Sequence, residues 1–181
     1  MYTTLIQVDE LKALQASGQP LMVFDCSFDL AQPQAGAAAF AEQHILGAHH
    51  ADLDRHLSVH QGPDVPTASG GRHPLPTREN FAQWLNDIGF KNKMQAVVYD
   101  RNGNNYCGRL WWMLKWMGHD AVALLDGGLA AWTASNGALE GHGTQTIEPA
   151  TPKPSPVDEP FELRPSLVNL RSAQEVLAQL N

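Results

Sequence analysis

The hydrophobic and polar positions change period several times along the chain, and each change marks an element. Val8, Leu11 and Leu14 share one helical face while Asp9, Glu10 and Lys12 share the other, which predicts a short amphipathic helix from Val8 to Gln15, ended by Gly18. Leu21-Met-Val-Phe24 is then a continuous apolar run closed by Asp25, the pattern of a strand buried on both faces of a parallel sheet. Ala37 to His44 reads as helix, and Asp52 to Pro76, rich in Gly, Pro, His and Ser, as a long surface excursion. Thr77 is placed as the N-cap of a helix whose apolar face is Phe81, Trp84, Leu85 and Ile88, with Asn80 in the weaker version of a capping box and Gly89 as its end. A strand at Ala96–Tyr99, an apolar helix at Leu110–Met117 and a strand at Ala121–Leu125, closed by Asp126-Gly127-Gly128, follow in alternation. Strands alternating with helices predict an α/β fold with a central parallel sheet flanked by helices on both faces.

From Gly137 to Pro160 the pattern dissolves into Pro, Gly, Thr and Ser, which predicts a linker. Leu167-Val-Asn-Leu170 and a helical stretch with Val176, Leu177 and Leu180 on one face then echo the start of the chain. The expected organisation is one domain over residues 1–140, a Pro-rich linker over 141–160, and over 161–181 the start of a second, truncated copy.

Length and charge narrow the field. The 181 residues, 43% hydrophobic, suffice for one good core plus an appendage. The net charge is −7 and the basic residues are scattered, so there is no electrostatic footprint for nucleic acid. No apolar run approaches the roughly 20 residues that cross a bilayer, and the start, MYTTLIQVDELKAL, has neither a basic n-region nor an uninterrupted apolar h-region, which points to a cytoplasmic protein without a membrane role. Two cysteines, Cys26 and Cys107, give no disulfide framework. His44, His49, His50, His56 and His60 lack the spacing of a zinc site, so no metal and no cofactor are expected. Trp111, Trp112 and Trp116 fall at helical spacing on an apolar helix and read as core packing; Asp126-Gly-Gly128 reads as a strand-to-helix turn that needs glycine conformations.

Taken together, Asp25-Cys-Ser-Phe28, Phe40-x-x-x-His44-Ile-Leu-Gly47-Ala48, Gly71-Arg-His-Pro-Leu-Pro76, Val97-Val-Tyr-Asp100, Arg109-Leu-Trp-Trp112 and Leu125-Asp-Gly-Gly128 with Trp132 resemble the rhodanese superfamily. Within it they resemble the amino-terminal, non-catalytic domain of the tandem thiosulfate and 3-mercaptopyruvate sulfurtransferases. Leu46 stands where the family usually has Pro, and Leu129-Ala-Ala-Trp132 lacks a customary Glu.

The resemblance implies a sulfane sulfur passed through a cysteine persulfide, from a small-molecule donor to a thiol or cyanide acceptor. The nucleophile's place, directly after a strand and before a helix N-terminus, is held here by Asp100. Catalysis is therefore expected in the chain's partner, a carboxy-terminal rhodanese domain, with this half inactive alone. The segment from Arg101 to Tyr106 is longer than a Cys-x5-Arg cradle, so its amides are not expected to converge on one anion; a phosphatase of that type, which also needs a Cys at the strand end, is excluded by Asp100. Phe28, Asn105 and Tyr106 take, by resemblance, the positions of a substrate-cleft wall. His44 is expected to fix a loop, Arg109 to anchor one by pairing with Asp100 or Asp126, and Cys107 is the fallback nucleophile of a weak single-domain enzyme. A binding or regulatory module without catalysis is the other alternative. With its cleft face uncovered, the 181-residue chain is expected to pair into a dimer.

Overall fold

A computed structural model describes residues 1–59, 66–142 and 159–180. Five strands, β1 (Leu5–Ile6), β2 (Leu21–Asp25), β4 (His49–His50), β5 (Gln95–Tyr99) and β6 (Val122–Leu125), form a sheet in the order β1-β6-β5-β2-β4, every pair parallel. The remaining strands, β3 (His44–Ile45) and β7 (Leu139–Glu140), make a separate antiparallel pair. Between them in chain order run α1 (Val8–Ser17), α2 (Ala35–Glu42), α3 (Arg78–Asp87), α4 (Cys107–Trp116), α5 (Gly128–Ala134) and, near the end, α6 (Ala173–Gln179).

Successive residues of a strand point to opposite faces, and the central strands carry unbroken apolar runs at 21–24, 96–99 and 122–125, so the sheet carries two cores. Met22 and Phe24 of β2, Ala96 and Val98 of β5 and Val122 of β6 pack against Phe81 and Leu85 of α3 and Leu110, Met113 and Leu114 of α4. Val23, Val97, Tyr99, Ala123 and Leu125 face the other way, onto Leu11 of α1 and Leu129 and Trp132 of α5, with Phe40 of α2 at the margin. The expected α/β architecture, a parallel sheet between two helix layers, is what forms.

Local signals hold at the helix ends. Gly18 ends α1 at φ 70°, and Thr77 Oγ1 accepts from Asn80 N at the start of α3. Two expectations change. The helix predicted at Ala37–His44 stops at Glu42, because His44 is drawn into β3. The excursion from Asp52 to Pro76 is not purely superficial: Leu53, Leu57 and Leu75 are buried in the core on the α3–α4 face. Leu139 and Glu140, at the end of the expected domain, pair with Ile45 and His44, and the linker expected over 141–160 falls largely outside the described residues. Phe161, where the second copy was expected to start, packs into the core of the domain over residues 1–140.

Candidate functional site

Ligand sites in α/β sheets gather beyond the carboxyl ends of the strands, and here β5 delivers Asp100 to that edge. Asp100 is 1% exposed. Its Oδ1 accepts from the amides of Asn102 (2.8 Å) and Asn104 (2.9 Å), and its Oδ2 from those of Tyr106 (2.7 Å) and Cys107 (3.0 Å). The expectation that these amides would not converge is thus overturned: they converge on one anion, and the anion is the Asp100 side chain. Gly103 and Asn104 make this possible by adopting left-handed φ of 69° and 65°, which turns the chain back over the carboxylate. Glycine tolerates that region freely and asparagine better than most residues. Gly128, at φ 54°, closes the site from below: a Cβ there would lie 2.5 Å from Asp100 O.

The two thiols lie beneath this loop. Cys107, the first residue of α4, is fully buried; burial first, then the charge of Asp100, pushes its thiol well above the ordinary range, although its Sγ lies 3.5 Å from Asn104 Oδ1. Cys26, 1% exposed, is pushed higher still than a free thiol by burial, with Cys107, Asp25 and Asp100 adding to the effect. A reactive cysteine needs a lowered pKa and access, and both thiols have the opposite. Tyr99 is likewise buried; burial and then the Asp25 carboxylate drive its hydroxyl well above the usual phenol range, and that oxygen accepts from Ile45 N at 3.0 Å.

Of the three expected cleft residues, Phe28 and Tyr106 are in contact. Phe28 is buried with its ring edge-on to Tyr106 at 5.8 Å, Tyr106 is half-buried, and Asn105 is exposed. His44 stacks on Phe40 at 3.8 Å, its Nδ1 2.7 Å from Phe40 O and its Nε2 3.0 Å from Glu140 Oε1, an oxygen that also accepts from Gly47 N. Asp126 accepts from Gln7 Nε2 at 3.0 Å, joining the end of β6 to the start of α1.

Arg109 does not pair with Asp100 or Asp126, as expected, but donates to Leu57 O, Ser58 Oγ and His73 O. The reason is directional. Its position in the first turn of α4 faces the 52–76 excursion, while the Asp100 oxygens already hold four amides. Among the described residues no group of three or more His, Cys, Asp or Glu converges as metal ligands, and no helix is long and apolar enough to cross a membrane.

Sequence reasoning missed Arg101 and Asp25. Asp25 is buried, its Oδ1 accepting from Ser27 N, and its Oδ2 lies 3.6 Å from Arg101 Nη2, which also donates to Ala39 O and Gln43 O. Arg101 thereby ties the loop to the end of α2. The available signal was a carboxylate at the end of a buried strand, which demands a cation or donors nearby.

The site is therefore an anion cradle after the fourth strand of an α/β sheet, filled by a side chain of its own. The Rhodanese-like domain family matches residues 7–135, and the chain belongs to that family. It is 43% identical over 140 residues to the probable 3-mercaptopyruvate sulfurtransferase of Pseudomonas aeruginosa, covering 76% of this chain and 47% of that protein. It is 34% identical over 164 residues to the human 3-mercaptopyruvate sulfurtransferase, covering 87% and 49%. Among solved structures it is similar to the 3-mercaptopyruvate sulfurtransferase SseA of Escherichia coli, with TM-score 0.70, 25% identity, and coverage of 98% of this chain and 61% of that one. The chain spans about half the length of the curated relatives it matches.

Proposed function

We propose that this chain is the non-catalytic, amino-terminal half of a tandem rhodanese-type sulfurtransferase. The whole protein, on this reading, moves sulfane sulfur from thiosulfate or 3-mercaptopyruvate to a thiol or cyanide acceptor, through a cysteine persulfide carried in a second rhodanese domain. The observation that carries the reading is Asp100 with its four amide partners. A persulfide needs sulfur at the strand end, where such amides stabilise an anionic sulfur. Here they are spent on a carboxylate, which has no sulfur to offer. The half-length match to named sulfurtransferases supports the same reading. The buried thiol of Cys107, with its raised pKa, speaks against a single-domain enzyme using it. Asn105 and Tyr106 would contribute the wall that this half presents to the second domain's persulfide, with the buried Phe28 packed behind Tyr106.

The test is a sulfurtransferase assay with each donor, run on these 181 residues and on a protein that continues through the second domain. Turnover is expected only in the longer protein. Turnover by the 181 residues that disappears in Cys107→Ser would overturn the proposal.

A further inference from the structure

Beyond residue 135, where the family match ends, the chain returns to the domain in a way the sheet and helices do not require. Phe161 is 3% exposed, its ring 5.6 Å from that of Phe90 and 6.3 Å from that of His119. Its backbone is held from both ends by one side chain: Phe161 N donates to Asn86 Oδ1 at 2.7 Å and Phe161 O accepts from Asn86 Nδ2 at 3.2 Å. The next residue repeats the arrangement with a different asparagine, Glu162 N donating to Asn92 Oδ1 at 2.7 Å and Glu162 O accepting from Asn92 Nδ2 at 3.0 Å.

A primary amide presents one acceptor and donors side by side, so it can meet a residue's N–H and C=O as a neighbouring strand would. In an extended chain successive residues turn those groups to opposite sides. Asn86 near the end of α3 and Asn92 in the turn before β5 therefore grip the segment from its two flanks. Further on, Arg164 N donates to Met117 O, a carbonyl past the end of α4, and Leu167 N to Lys115 O, which also accepts from Gly118 N. Arg78 Nη2 donates to Arg164 O. Gly118, at φ 82°, gives the room: a Cβ there would stand 2.6 Å from Arg164 Cβ and from Pro165 O. Val168 finally packs against the same core as Phe161.

We propose that Phe161–Val168 is a docking strap, a ligand bound in cis by a groove that recognises an extended peptide with an aromatic residue at its first position. Asn86 and Asn92 read the backbone, the pocket between Phe90 and His119 reads the ring, and the docked strap fixes where the chain leaves the domain. The strap stands independently of the sulfurtransferase reading.

Hydrogen exchange on the full 181-residue chain tests it. The amides of Phe161, Glu162, Arg164 and Leu167 are expected to be protected relative to the same residues in a free peptide. Asn92→Ala, in an exposed turn, should accelerate exchange across 161–168 about tenfold, as loss of a paired amide contact worth about 1.4 kcal/mol would do, with β5 and α4 unchanged. A labelled peptide of residues 159–170 should bind the Phe161→Ala chain, whose groove is emptied, and not the parent chain. Exchange of 161–168 at free-peptide rates in the parent chain, or equal peptide binding by both chains, would overturn the proposal.

Discussion

At the residue scale, the identity of position 100 decides how the loop after β5 is built. A buried carboxylate is tolerated only when its lone pairs are met, and Asp100 meets them with four backbone donors from a single short loop. Removing it leaves four inward-facing N–H groups without a partner. Asp100→Ala is therefore expected to cost about 3 kcal/mol, by the order of magnitude of buried hydrogen bonds to charged groups, measured as the change in urea midpoint at constant slope. Asp100→Asn should also destabilise, because its NH2 group must face one of the two amide pairs. A fully stable Asp100→Ala would contradict the description of the cradle. The identity of Asp100 was legible in the sequence, from its place after Val97-Val-Tyr99. Its effect on the loop was not, because loop length alone does not show that Gly103-Asn104 takes left-handed conformations that fold the loop inward.

At the scale of elements, the anchors differ from those a linear reading suggests. Arg109 ties together two stretches of the excursion through Leu57, Ser58 and His73, alongside the burial of Leu53, Leu57 and Leu75. Arg109→Ala is expected to speed protease cleavage within this excursion several-fold at unchanged cleavage elsewhere, since local opening sets such rates; uniform cleavage would count against the role. The end of α4 carries a different dependence. His119 is 2% exposed, and burial lowers its pKa below 6.5, with Arg164 and Lys115 acting the same way and the Ala121 carbonyl and Asp120 opposing them. The unfolded chain then takes up the proton more readily than the folded one. The stability this confers is complete above about pH 6.5 and is lost as pH falls through the lower, folded value. A series of denaturant curves from pH 7.5 to pH 5 should show this decline, and His119→Phe should flatten it. Periodicity could find α3 and α4, whereas contacts between side chains far apart in sequence, such as those of Asn86 with Phe161, leave no periodic trace.

At the scale of the whole molecule, fold class was the most legible property. Runs apolar at every position required burial on both faces, and a parallel sheet between helix layers is the arrangement that provides it. The short pairs β1, β3 and β7 were not legible, since two-residue strands have no period to read and are created by what lies beside them. The division into domains was read from the return of an apolar pattern at Leu167. That pattern could not tell that Phe161 and Val168 would be held by the first domain's own core.

The central proposal, that this chain carries no sulfur itself, is tested most directly by intact-mass analysis of the 181-residue chain after incubation with thiosulfate or 3-mercaptopyruvate. The expected spectrum shows an unchanged mass with both thiols free on denaturation. A gain of one sulfur atom that maps to Cys107 or Cys26 would contradict the claim and move the chemistry into this domain.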